Sequence, residues 1–337
     1  MQPQNTDIRD VAIIGAGPVG LFAVFQCGML GLSCHVIDSL EQIGGQCSAL
    51  YPEKPIYDIP AFPEVSGATL IKNLEAQAAP FDPNYILNSK VVSLSSENGL
   101  WHLTTNGDVT LYAKKIIIAA GGGAFGPNKP PLEGLHDYEG TSVFYCVREK
   151  EAFKDKRVVI AGGGDSAVDW AIALSDVATS VHLIHRRDKF RAAPESIRKL
   201  ENLSQAGLVH IETPYQLKSL KGNNGVLSGV CVSGKNNDKD IEADVLLPFY
   251  GLSMELGPIK DWDLDLNNAY ININPATCQT SVAGIYAVGD IVSYQNKLKL
   301  ILTGFSEAAM AAHAIYKEIH PDKELHFEYS TTKGIPA

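Results

Sequence analysis

One local pattern occurs twice in this chain and constrains what it can fold into. An apolar strand runs into a glycine-rich turn, a helix follows, and a second short strand closes the unit. In the first copy Val11–Ile14 is an apolar run of the kind a buried parallel strand requires. Gly15-Ala16-Gly17-Pro18-Val19-Gly20 forms the turn, and helical spacing continues through Leu30 until Gly31 can end it. Cys34–Ile37 is the second strand and stops at Asp38. In the second copy Val158–Ala161 leads into Gly162-Gly163-Gly164-Asp165-Ser166-Ala167, a helix to about Ser175, and the strand Val181–Ile184. Glycine at these places lets the backbone approach a pyrophosphate, whose charge then meets the free amides of a helix N-terminus. Each copy therefore predicts a dinucleotide cradle, with Gly15, Gly17, Pro18 and Gly20 in one and Gly162, Gly164, Asp165, Ser166 and Ala167 in the other. Asp165 and Ser166 read as the opening of a phosphate-binding helix, not as an acid beside a nucleophile.

The copies differ where the second strand ends. The residue 23 positions after Gly15 is Asp38, placed to hydrogen-bond an adenosine ribose. The residue 23 positions after Gly162 is His185, followed by Arg186 and Arg187, with Arg191 close behind. An acid there would repel a ribose 2′-phosphate, whereas guanidinium groups can grip one through paired, charge-assisted bonds. The same arginines could also form a solvated basic turn. On the first reading this half takes NADPH in preference to NADH.

Each unit also closes alike. Residues 113–121 (AKKIIIAAG) and 243–251 (ADVLLPFYG) match in length and apolar pattern, and both end on glycine, Gly121 and Gly251. The chain is thus expected to be α/β, with two nested three-layer Rossmann-like dinucleotide-binding domains. Residues 1–121 would form the first half and 122–251 the second. The remainder, 252–337, carries a strand ending in Gly289-Asp290 and an Ala-rich helix, Phe305–Glu318.

At 337 residues the chain suits two ordinary domains, and its 45% hydrophobic content is that of a globular protein. No run of about 18 apolar residues predicts a membrane span. The polar N-terminus has no signal-peptide pattern, which makes the cytoplasm the expected compartment. A net charge of −10 argues against a nucleic-acid partner. The six cysteines are scattered, with no CxxC pair, and the nine histidines have no zinc-like spacing, so no metal site is expected. The polar stretches 221–225 and 234–240 read as hairpin tips.

Taken together, these residues resemble the two-dinucleotide flavoproteins of the disulfide reductase type, and among them the thioredoxin reductase group. The resemblance covers nearly the whole chain. It implies FAD in the first half and NADP(H) in the second. It also implies that Gly289-Asp290 meets the flavin's ribityl and phosphate chain, so that 252–337 returns to the FAD domain and 122–251 is an insertion. One departure matters. Where thioredoxin reductases carry a CxxC dithiol, this chain has Tyr145-Cys146-Val147-Arg148-Glu149, and a single thiol cannot cycle to an intramolecular disulfide.

Two further segments are similar to the thioredoxin-reductase-type ferredoxin–NADP⁺ reductases: residues 44–54 (GGQCSALYPEK) and the tail 329–334 (YSTTKG). That similarity implies that Tyr51 packs on one flavin face and Tyr329 covers the other, with Gln46, Gly121, Asp290 and Thr331 also beside the FAD. It implies hydride transfer from NADPH to flavin and single electrons passing to ferredoxin or flavodoxin, with no side-chain acid or base required. A homodimer is implied by the resemblance alone. Lys297, Lys299, Lys333, Arg198 and Lys199 are candidates for a patch that docks an acidic carrier. Three other readings stay open: a flavin reductase or diaphorase-like oxidase, a thiol reductase using Cys146 with a partner's thiol, and a non-catalytic module that senses NADPH.

Overall fold

A computed structural model describes residues 7–235, 237–323 and 334. Tyr329 and Thr331 lie outside the described residues, as does Lys333. The chain divides into two compact units, Met1–Phe125 with Met254–Ala337, and Gly126–Ser253.

In the first unit the strands run in the order Asn84–Ile86, Cys34–Ile37, Ile8–Ile14, Thr110–Ile118, Leu100–Thr105, Val91–Glu97, and Ile285–Ala287 also pairs with Thr110–Ile118. The register explains the site. Ile14 lies opposite Ile37 on one side and Ile118 on the other, and Ile118 lies opposite Ala287, all in parallel pairs. The residues that leave these strands, Gly15, Asp38, Ala119 and Val288, therefore emerge along one carboxyl edge. Ligands of open parallel sheets bind at such an edge.

Both faces of this sheet are covered at its centre, which is why residues 11–14, 34–37 and 116–118 are near-continuous apolar runs and not alternating ones. Val11 and Ile13 face a cluster that includes Val24, Ala308 and Ala312, from the helices Pro18–Met29 and Ile301–Ile319. Ala12 and Ile14 face the opposite cluster, with Leu256, Ile259, Trp262 and Ile271. That layer contains no α-helix among the described residues; it includes a small sheet of Leu266–Asn267, Tyr270–Asn272 and Val292–Ser293.

The second unit repeats the plan with four parallel strands, ordered His210–Glu212, Ser180–Ile184, Arg157–Gly162, Val245–Phe249. Val158 and Ile160 pack against Val168, Ala171 and Leu200 from the helices Asp165–Leu174 and Pro194–Gln205. Val159 and Ala161 pack against Leu227, Val230 and Ile241 of an antiparallel sheet, Gln216–Asn223, Val226–Ser233 and Asp238–Glu242. The expected hairpin tip at 221–225 is there, turning at Asn224 and Gly225, both with positive φ. The two predicted closing strands are Thr110–Ile118 and Val245–Phe249, each parallel to the first strand of its own unit.

Candidate functional site

At the carboxyl edge of the first sheet is a cleft, open to solvent, with roughly 1340 Å³ of space. Gly15, Gly17, Pro18, Asp38, Gln46, Tyr51, Gly121 and Asp290 all line it. Gly15 has φ +113°, and a Cβ there would stand 2.4 Å from the Ala119 carbonyl oxygen, so the turn admits no other residue without moving the neighbouring strand end. Gly20 stands behind the cleft, where the helix presses on the Gly15 carbonyl. Packing requires its absent side chain, since a Cβ there would stand 1.9 Å from the Gly15 carbonyl oxygen.

Asp38 is pinned by the turn it serves. Oδ2 accepts from the Ala16 amide at 2.7 Å and Oδ1 from the Leu40 amide at 2.9 Å. Burial lifts its carboxyl above the usual carboxylate range, and the amides act the other way. The carboxylate thus locks the glycine turn to the end of the second strand as well as facing the cleft.

Tyr51 follows the short helix Gly45–Ala49, which carries Gln46 and Cys47. The buried Cys47 thiol donates to the Tyr51 hydroxyl at 3.7 Å. Burial pushes the thiol up to about 11 and raises the phenol as well, so both are protonated across the physiological range. Neither group can act as a base near neutral pH. Ser89, Lys90, Leu256, Ile259 and Trp262 complete the wall. No local motif announced these five: Ser89 and Lys90 lie in the short connection between Asn84–Ile86 and Val91–Glu97, and Leu256, Ile259 and Trp262 come from the segment that follows the second unit.

The second unit has its own groove at the matching edge. Gly162, Gly164, Arg186, Arg187 and Arg191 line it, together with Gly163, His185, Tyr215, Tyr250 and Gly251. Among the described residues no carboxylate pairs with Arg186, Arg187 or Arg191, so their charge is available to an anion. The His185 ring stacks on Phe190 at 5.4 Å, and its Nε2 is buried without a partner. Burial, with the nearby Arg186 and Arg191, lowers its pKa, leaving the arginines to supply the positive charge. A Cβ on Gly163 would lie 2.1 Å from the His185 ring, so the middle glycine of the Gly162–Gly164 run makes room for the imidazole.

Asp165, Ser166 and Ala167 do not line the groove. Ala167 is fully buried behind Gly162. Asp165 Oδ1 accepts from the Ala193 amide at 2.9 Å, and the Arg191 amide donates to the Gly163 carbonyl at 2.7 Å. These two bonds strap the arginine loop to the glycine turn. Asp165→Ala is expected to raise the KM for NADPH several-fold, and Asp165→Asn, which keeps an acceptor oxygen, to stay near the parent value in steady-state kinetics.

A family model described as pyridine nucleotide-disulphide oxidoreductase matches residues 9–312. The chain is 57% identical over 330 residues to the ferredoxin–NADP reductase of Paramagnetospirillum magneticum, covering 97% of this chain and 98% of that one. To the ferredoxin–NADP reductase of Rhodospirillum rubrum it is 56% identical, covering 99% and 98%. The chain belongs to the ferredoxin–NADP reductase family.

This ferredoxin–NADP reductase family member is also similar to the thioredoxin reductase of T. acidophilum, with a TM-score of 0.79, 26% identity, and 93% and 99% of the two chains covered. This chain has no CxxC pair. Cys146 is half-buried, and every cysteine in the chain is a free thiol. No helix among the described residues is long and apolar enough to cross a membrane.

One of the expected docking residues of this family member, Lys297, needs correction. The Lys297 side chain is only 5% exposed and is held by Glu307, so it cannot meet a protein surface. Lys299 lies 3.6 Å over the ring of Tyr270. Arg198 pairs with Glu195, and Lys199 is exposed.

Proposed function

We propose that the first unit's cleft holds FAD, that the second unit's groove holds NADP(H), and that the chain exchanges electrons between NADP(H) and ferredoxin. The observation that carries this reading is the contrast at one topological position: Asp38 closes the first glycine turn, and Arg186 and Arg187, with no carboxylate partner among the described residues, flank the second. The first arrangement suits a ribose hydroxyl and the second a ribose phosphate. The residues also fit the groups sterically, since Gly15 and Gly17 leave backbone exposed where a pyrophosphate would lie. Bound FAD would supply the redox chemistry, taking a hydride from NADPH at N5 and passing single electrons to an iron–sulfur carrier.

The chain's own work is then to bind and orient. Tyr51, protonated and held by Cys47, offers a rigid ring for one face of the isoalloxazine. Tyr329 and Thr331 are proposed for the opposite face and its edge, on family resemblance. Ferredoxin as partner rests on the names of the close relatives; flavodoxin, a homodimer and the cytoplasm are proposed alongside it on resemblance to that family. No side chain in either pocket has to move a proton, because hydride transfer depends on geometry first.

The test is acceptor choice. Purified holoprotein reduced with NADPH is mixed in stopped flow with ferredoxin, flavodoxin and oxygen. Ferredoxin is expected to reoxidise it fastest. Fast reoxidation by oxygen alone would favour an oxidase, and no bleaching by NADPH would leave a binding module. Tyr51→Ala, and a truncation after Glu328, are each expected to shift the flavin absorbance bands and change NADPH turnover by roughly ten-fold, while Tyr51→Phe keeps the spectrum.

A further inference from the structure

The Ala-rich helix Ile301–Ile319 carries one acid, Glu307, that is 1% exposed. A carboxylate so buried is stable only when its lone pairs are taken up. Three donors do so. Lys297 Nζ and the Tyr294 hydroxyl reach Oε1 at 2.5 and 2.6 Å, and the Gly289 amide reaches Oε2 at 2.7 Å. Lys297 also lies 5.6 Å over the Tyr294 ring, so cation, phenol and carboxylate form one closed network.

The third donor connects this network to the cleft. Gly289 and Asp290 both line it, and Gly289 holds φ +82°. The helix comes against that turn without a side chain between them: a Cβ on Gly304 would stand 2.4 Å from Val19 Cγ2 and 3.3 Å from Gly289 Cα. Val19 belongs to the first glycine turn's helix and lines the cleft too. Glu307 therefore ties the Gly289–Asp290 turn, from below, to the same helix that packs on the first cradle.

We infer that Glu307 is the positioning residue for the flavin, acting through the Gly289 amide, with Lys297 as its counter-charge. The inference rests on the proposal that FAD occupies this cleft. Glu307 does not line the cleft; it sets the backbone that does. A conventional surface lysine at 297 would serve neither purpose, which accounts for its burial.

Charge burial and positioning separate in two double variants. Lys297→Met with Glu307→Gln removes both charges but keeps an oxygen for the Gly289 amide and a donor for Tyr294. Lys297→Met with Glu307→Leu removes both charges and the acceptor. FAD affinity, measured by fluorescence of the released flavin, is expected to be roughly ten-fold or more lower for the leucine pair than for the glutamine pair. The flavin-free leucine pair should melt below the glutamine pair, because the buried Gly289 amide loses its acceptor, so the absorbance envelope of the FAD that still binds separates positioning from stability. Glu307→Asp, which keeps the charge and withdraws the carboxylate from Gly289, should also weaken FAD and change its absorbance envelope.

Equal FAD affinity for the two double variants would overturn the inference, as would parental affinity in Glu307→Asp. A parent chain that binds no FAD would instead remove the cleft's assignment, and this inference with it.

Discussion

Replacing Arg186 and Arg187 together with alanine is expected to raise the KM for NADPH about 100-fold while moving that for NADH only a few-fold. Each charge-assisted bond to a phosphate contributes about 1.5 kcal/mol or slightly less at a partly solvated site, and two of them amount to about 2.7 kcal/mol. Both side chains line the groove beside Gly163 and Gly164, and neither spends its charge on a carboxylate among the described residues. Removing them therefore leaves no buried anion stranded, and the fold should melt close to the parent temperature. Steady-state kinetics with both nucleotides checks the prediction; equal losses for NADPH and NADH would mean that these arginines do not read the 2′-phosphate. Added salt should reproduce part of the loss in the parent, because the interaction is exposed and screened.

Gly15→Ala is expected to produce a protein that purifies without flavin and melts well below the parent. The substitution places a side chain at φ +113°, and its Cβ would meet the Ala119 carbonyl oxygen at 2.4 Å. The backbone strain costs about 1–3 kcal/mol and the forced displacement about as much again. The displacement falls on Ala119 and Ala120, which line the same cleft, so binding should suffer more than folding. Flavin content measured by absorbance, set beside a thermal melt, checks both parts. A yellow, fully loaded Gly15→Ala protein would show that the turn has more freedom than its geometry allows. Gly31→Ala is the control, since Gly31 also has positive φ but nothing within 4 Å of an added Cβ.

Much of the site could be read from local pattern because the chemistry there is carried by backbone. Gly15, Gly17, Gly162 and Gly164 are where they are because a strand, a tight turn and a helix follow one another within a few residues, and such short-range order is written in adjacent positions. Asp38 and Arg186 could be placed for the same reason: each follows a strand whose register with its neighbour is fixed by apolar residues facing two cores. Asp165 and Ala167 were less legible. The glycine-motif spacing puts them on the phosphate-binding helix, but the fold uses one to hold Ala193 and the other to fill the space behind Gly162.

Lys297 and Glu307 show the limit most clearly. By sequence, one is a surface lysine in a polar loop and the other an acid in an Ala-rich helix, and neither carries a motif. They meet at 2.5 Å because the loop before the helix folds back onto its second turn, directly beneath Gly289. Trp262 likewise reaches the cleft from a segment distant in sequence from the first glycine turn.

The sequence by itself determined the two nested cradles, the choice of acid in one and arginines in the other, and the absence of a CxxC pair that would take electrons as a dithiol. Those features depend on residues close together in the chain, where spacing is geometry. The tertiary structure alone decided which charges are buried and which are free, because burial depends on what distant segments cover. That is why Lys297 left the surface and Arg186 and Arg187 remained open to an anion.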